Sequence, residues 1–113
     1  MSMFNSPEFQ ALRREYLQGV LERIAFLKEE TARLRSGGLT DLKPLRQEIH
    51  KSRGSGGFYG FTQLSQASAA AEDQLVLTID GEIDRDDQAL AALVDRVVAE
   101  AEAAARDLAL PQQ

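Results

Sequence analysis

Apolar side chains recur at three- and four-residue steps through most of this chain, a spacing that one face of an α-helix satisfies and a strand does not. Phe9, Leu12, Tyr16, Val20, Ile24, Leu27 and Leu34 form the longest such series, with Leu17, Leu21 and Phe26 widening the stripe. The spacing predicts one amphipathic helix from Pro7 to Arg35. Ser6 ahead of Pro7 and Glu8 supplies a start, with the proline where a missing donor is harmless. Ser36-Gly37-Gly38 supplies a stop. At ~1.5 Å per residue this helix would be about 40 Å long, enough to flank a whole bundle. Gly19 inside it costs roughly 1 kcal/mol against alanine.

The second series is shorter. Thr40 or Asp41 caps its start and Pro44 falls in the first turn. Leu42, Leu45 and Ile49 point one way, with Ser52, Gly56 and Tyr59 continuing that side if the helix persists. Arg46, His50, Arg53 and Gly54 point another way, so His50 is expected at the surface. Propensity alone ends this helix at Arg53, because four glycines follow between Gly54 and Gly60. Gly60 reads as a break and Thr62 as the cap of a third helix carrying Leu64, Ala67, Ala71 and Leu75. Leu75 to Ile79 followed by Asp80-Gly81 also resembles a strand and tight turn. The chain offers no partner strand, so the segment is assigned to the end of the third helix. Asp84 to Asp87 caps the last helix, which carries Leu90, Leu93, Val94, Val97, Val98, Ala101, Ala105 and Leu108 before Pro111. The expectation is an all-α fold, an antiparallel up-down four-helix bundle, forming one domain over residues 1–113 with its specific core at 8–109.

Composition narrows the function. A formal charge of −5 and a pI near 4.8 argue against general nucleic-acid binding, which wants a basic face. No apolar run approaches the ~20 residues that span a bilayer, and Met1 to Gln10 shows no secretory leader. The absence of cysteine excludes disulfides, thiolate chemistry and zinc fingers, and fits the cytoplasm. A single histidine is too few for an ordinary transition-metal site. Glu29-Glu30 and the Asp84 to Asp87 run read as solvated or capping charge. Gly54 to Gly57 is no nucleotide loop, since the lysine and hydroxyl that would follow are missing.

That histidine opens the most chemically specific stretch: His50, Arg53, Gly54, Gly60 and Phe61, with Leu64 and Glu72 beyond. The pattern resembles the signature of histidine-containing phosphotransfer (HPt) domains: His, two residues, Lys, Gly, a second glycine six positions on, then an apolar residue opening the next helix. Arg53 stands where the family has lysine, and Ser52 where it has leucine. The first change keeps the charge and adds a planar fork suited to phosphate oxygens. Nothing in the sequence explains the second. The resemblance implies that the His helix runs on through the glycines to about Phe58.

It further implies a phosphorelay carrier in two-component signalling, without kinase activity of its own. His50 would be the phosphorylated residue, Arg53 would stabilise the phosphoryl group and Gly54 would give steric access. Arg46, Lys51, Gly57 and Phe58 would contribute to partner docking, with Leu39 on the apolar rim. No cofactor or metal is expected on this chain, because the magnesium belongs to the receiver. The partners would be response-regulator receiver domains and a hybrid histidine kinase, and the chain would be a monomer. A histidine-kinase dimerisation pair fits poorly, since Lys51 occupies the place of the acid that follows the histidine there. A non-catalytic adaptor that docks receivers or kinases is the remaining alternative.

Overall fold

The computed structural model describes residues 6–110, and every regular element among them is helical: α1 Pro7–Leu21, α2 Ile24–Ser36, α3 Lys43–Phe58, α4 Thr62–Ile79 and α5 Asp87–Asp107. The reading of Pro111 as a stop, and most of the leader assessment, fall outside the described residues. No helix among them is long and apolar enough to cross a membrane.

The expected single helix from Pro7 to Arg35 is split into two segments, α1 and α2, so the first of the four expected helices is interrupted among the described residues. Ser6 caps α1 by accepting from the Phe9 amide at 3.1 Å, with Pro7 in the first turn. At the join, Glu22 and Arg23 keep right-handed dihedrals. The Arg23 amide donates to Val20, three residues back, at 3.0 Å. This tighter hydrogen bond interrupts the α pattern without leaving helical backbone. Leu12 departs from the predicted stripe and is exposed, while Leu17 is fully buried.

Helix ends follow the glycines. Gly37 terminates α2 in the left-handed region at φ 77°, and the Gly38 amide closes onto Arg33 at 2.8 Å. Gly60, at φ 84°, turns the chain between α3 and α4, and the Phe61 amide closes onto Gly56 at 2.8 Å. Neither Thr40 nor Thr62 caps a helix. The caps of α3 and α4 are Leu42 and Phe61, without a side-chain bond, although Asp41 accepts from the Lys43 amide at 3.0 Å. Asp86 caps α5 by accepting from Ala89 at 3.1 Å. The Leu75 to Ile79 segment is helix, ended at Gly81.

α5 packs against α1, α2 and α4, and α4 packs against α3. Leu17, Leu34, Leu45, Ile49, Leu64, Leu75, Val94 and Val97 fill the interior with almost no exposure. Each such side chain contributes about 1.5–3 kcal/mol by leaving water. Leu39 belongs to this core rather than to a surface rim: its hydrophobic side chain sits inward while its carbonyl accepts from Arg85.

One end of the bundle is aromatic. Tyr16 stacks on Tyr59 and Phe61 with ring centroids 4.7 and 5.9 Å apart, and Phe9 meets Phe58 edge-on at 6.4 Å. Arg13 lies over the Phe61 ring at 4.6 Å and donates to the Tyr59 carbonyl at 2.7 Å. Burial pushes the Tyr16 phenol above its usual range, opposed by the neighbouring Ser52 hydroxyl. Among the described residues, no hydrogen bond of good geometry forms to the Tyr16 hydroxyl.

Candidate functional site

α3 is helical through its glycines, and packing explains why propensity is overruled. A Cβ added at Gly56 would sit 3.6 Å from the Ser65 amide and 3.7 Å from Leu64, and one at Gly57 would lie 3.2 Å from Ser65 Oγ. These two glycines let α3 lie close to α4. Ser65 uses that proximity, its hydroxyl donating to the Arg53 carbonyl at 2.5 Å. The bond ties the turn after His50 to the neighbouring helix. Ser52 is buried on the same side, against Tyr16, so the small polar side chain in place of leucine fits beside a phenol hydroxyl.

On the outer side, Arg46, His50 and Arg53 lie on one face of α3 and converge on Glu72 of α4. His50 Nδ1 is 2.7 Å from Glu72 Oε2, Arg46 Nε is 3.0 Å from the same oxygen, and an Arg53 Nη1 donates to Oε1 at 3.0 Å. The Arg46 contact is a charge contact, out of line for a hydrogen bond. Arg53 Nη1 also donates to Asp73 Oδ1 at 2.9 Å. Asp73 first, then Glu72, holds the Arg53 guanidinium above its ordinary range. The Glu72 side chain is 4% exposed whereas the His50 side chain is 61% exposed. A buried carboxylate thus sits under an open imidazole, neutralised by two guanidiniums.

The arrangement fixes the tautomer. An ionised carboxylate only accepts, so the proton of the neutral ring resides on Nδ1 and the lone pair on Nε2. Nε2 makes no hydrogen bond among the described residues. The ring is held from behind at Nδ1 with Nε2 outward, by the same logic that orients the histidine of a hydrolase triad.

The profile of the Hpt domain family matches residues 11–107. The chain belongs to the Hpt domain family. Hpt domains are helical bundles that carry phosphoryl groups in two-component signalling, working with receiver domains and histidine kinases as carriers rather than true enzymes. Comparison with curated proteins and with solved structures gives no match.

The residues singled out from the sequence are distributed unevenly over this Hpt domain. His50, Arg53 and Arg46 meet at Glu72. Gly54 faces open space: nothing lies within 4 Å of where its Cβ would be. Lys51 turns away from the cluster and pairs with Glu48 at 3.2 Å. Gly57 points its missing side chain at Ser65, so it serves helix packing there. Phe58 is 63% exposed, about 12 Å along the helix from His50 at ~1.5 Å per residue. The organising role of Glu72 escaped the sequence reading, which noted the residue only as part of the family pattern. A signal existed: Glu72 lies one turn from both Ser68 and Leu75 on the buried stripe of α4, and a carboxylate placed there has to find cations.

Proposed function

We propose that this Hpt domain is a phosphorelay carrier in which His50 Nε2 accepts a phosphoryl group from a receiver aspartyl-phosphate and passes it to another. The observation that carries the reading is the exposed imidazole whose Nδ1 is held by a buried, doubly neutralised carboxylate. In the forward step the Nε2 lone pair forms the N–P bond while the O–P bond of the acyl phosphate breaks, leaving the partner's carboxylate. Nδ1 keeps its proton, so the ring becomes cationic as the phosphoryl group arrives, and Glu72 lies opposite that charge. Phosphoryl transfer needs positioning and charge neutralisation more than covalent help. Arg53 supplies charge to the phosphoryl oxygens, Arg46 supports Glu72, and Gly54 leaves bare backbone for the partner's loop. Magnesium and the acceptor aspartate belong to the receiver. A hybrid histidine kinase is the upstream source, and the carrier acts in the cytoplasm as a monomer.

The reading takes the helices as an up-and-down antiparallel bundle. The cross-helix pairs support it, since their numbers run in opposite senses: Arg23 with Glu48 but Arg13 with Tyr59, and Lys28 with Glu102 but Arg35 with Asp95.

Incubation with a phosphorylated receiver should give an acid-labile, alkali-stable label that peptide mass spectrometry maps to His50, and His50→Gln should abolish it. A label that survives His50→Gln would refute the carrier, and no label with any of several receivers would leave an adaptor.

A further inference from the structure

Arg53, the residue assigned to the phosphoryl oxygens, is already engaged. Its Nη1 bonds to Glu72 at 3.0 Å and to Asp73 at 2.9 Å, which uses both hydrogens of that nitrogen. The two carboxylates are not equivalent. Glu72 is buried, touches Arg46 and His50 as well, and would be left as an underpaired interior charge if Arg53 withdrew. The Asp73 side chain is 63% exposed, and Arg53 is its only ion-pair partner among the described residues. Water can replace that guanidinium at little cost. In the resting cluster two guanidiniums balance two carboxylates. An incoming phosphoryl group adds negative charge, and the one anion that can yield without exposing a buried group is Asp73.

We propose that Asp73 is a positioning residue that competes with the phosphoryl group for Arg53 and so restrains phosphorylation of His50. The inference rests on the carrier reading. In the unphosphorylated state Asp73 holds the guanidinium toward α4. When Nε2 takes the phosphoryl group, Arg53 keeps Glu72 and exchanges Asp73 for a phosphoryl oxygen, while Asp73 turns to solvent. The replacement of the family's lysine by arginine suits this exchange, because a guanidinium can retain one carboxylate while turning another N–H toward phosphate.

The test uses phosphoramidate as a small donor, which removes partner docking from the measurement. Nε2 attacks phosphorus, the P–N bond of the donor breaks, and the nitrogen leaves as ammonia after taking a proton from water. Labelling of His50 is followed by mass spectrometry in the parent, in Asp73→Asn and in Asp73→Glu, each checked for an unchanged helical melt. Asp73→Asn should label about two- to fivefold faster, the range set by loss of one exposed ion pair. Asp73→Glu should restore the parent rate. In an Arg53→Ala background Asp73→Asn should have no effect, because its influence runs through the guanidinium. Equal labelling of the parent and Asp73→Asn, or the same acceleration without Arg53, overturns the proposal while leaving the carrier intact. Absence of His50 labelling in the parent overturns both.

Discussion

At the scale of single residues, Glu72 is the buried anion on which Arg46, His50 and Arg53 converge. A carboxylate buried to this degree is tolerated only with cations and donors around it, and three side chains of α3 supply them. It therefore links stability to reactivity, pinning α3 to α4 and setting which imidazole nitrogen faces outward. Glu72→Gln keeps the shape but leaves Arg46 and Arg53 without their shared anion. The variant should lose about 1–3 kcal/mol, measured as a lower urea midpoint with an unchanged slope. An unchanged midpoint would mean that the cluster contributes no net stability. That His50 and Arg53 share one outward face of α3 was legible from spacing. Their carboxylate was not, because nothing local in a sequence states which face of the next helix will meet them.

At the scale of elements, α3 does two things with one kind of residue. Gly56 and Gly57 sit against Ser65 and Leu64, where a Cβ would be in contact with α4 and, at Gly57, would crowd the Ser65 hydroxyl, whereas Gly54 has nothing within 4 Å. The first pair serves packing and the last leaves an open surface. Gly54→Gln should accordingly be neutral or stabilising by about 0.5–1 kcal/mol, since glutamine is the better helix former. Transfer from a phosphorylated receiver should nevertheless slow at least tenfold, as read in a stopped-time labelling assay. Unchanged transfer kinetics would remove Gly54 from the docking face. The helical state of the glycine run follows from the proximity of α4 and not from propensity, which ends the helix at Arg53. The break at Glu22 and Arg23 was equally unreadable, because the apolar period runs straight through it.

At the scale of the whole molecule, the bundle is closed at the end away from the aromatic rings by Arg85. From the connection between α4 and α5 it donates to the carbonyls of Leu39 and Thr40 and pairs with Asp87 at 2.6 Å. Those carbonyls belong to the connection between α2 and α3, so one side chain fixes the entry to the histidine helix. Arg85→Ala should cost about 1.5–3 kcal/mol, the range for hydrogen bonds to a charged group, seen as a lower melting temperature. A melt identical to the parent's would show that the core alone holds the two connections together.

The sequence by itself determined the number and spacing of apolar faces, most helix ends, and the histidine with its arginine and open glycine. Those are local properties: periodicity, capping, and the backbone freedom that Gly37, Gly60 and Gly81 use at positive φ. Tertiary structure alone decided that Glu72 would lie beneath His50 and that Arg53 would be shared with Asp73, and it supplies the packing that keeps α3 helical through Gly57 to Phe58, as the family resemblance implied. Each depends on two helices meeting at a particular register, and the free energy of that meeting lies in contacts between residues distant along the chain.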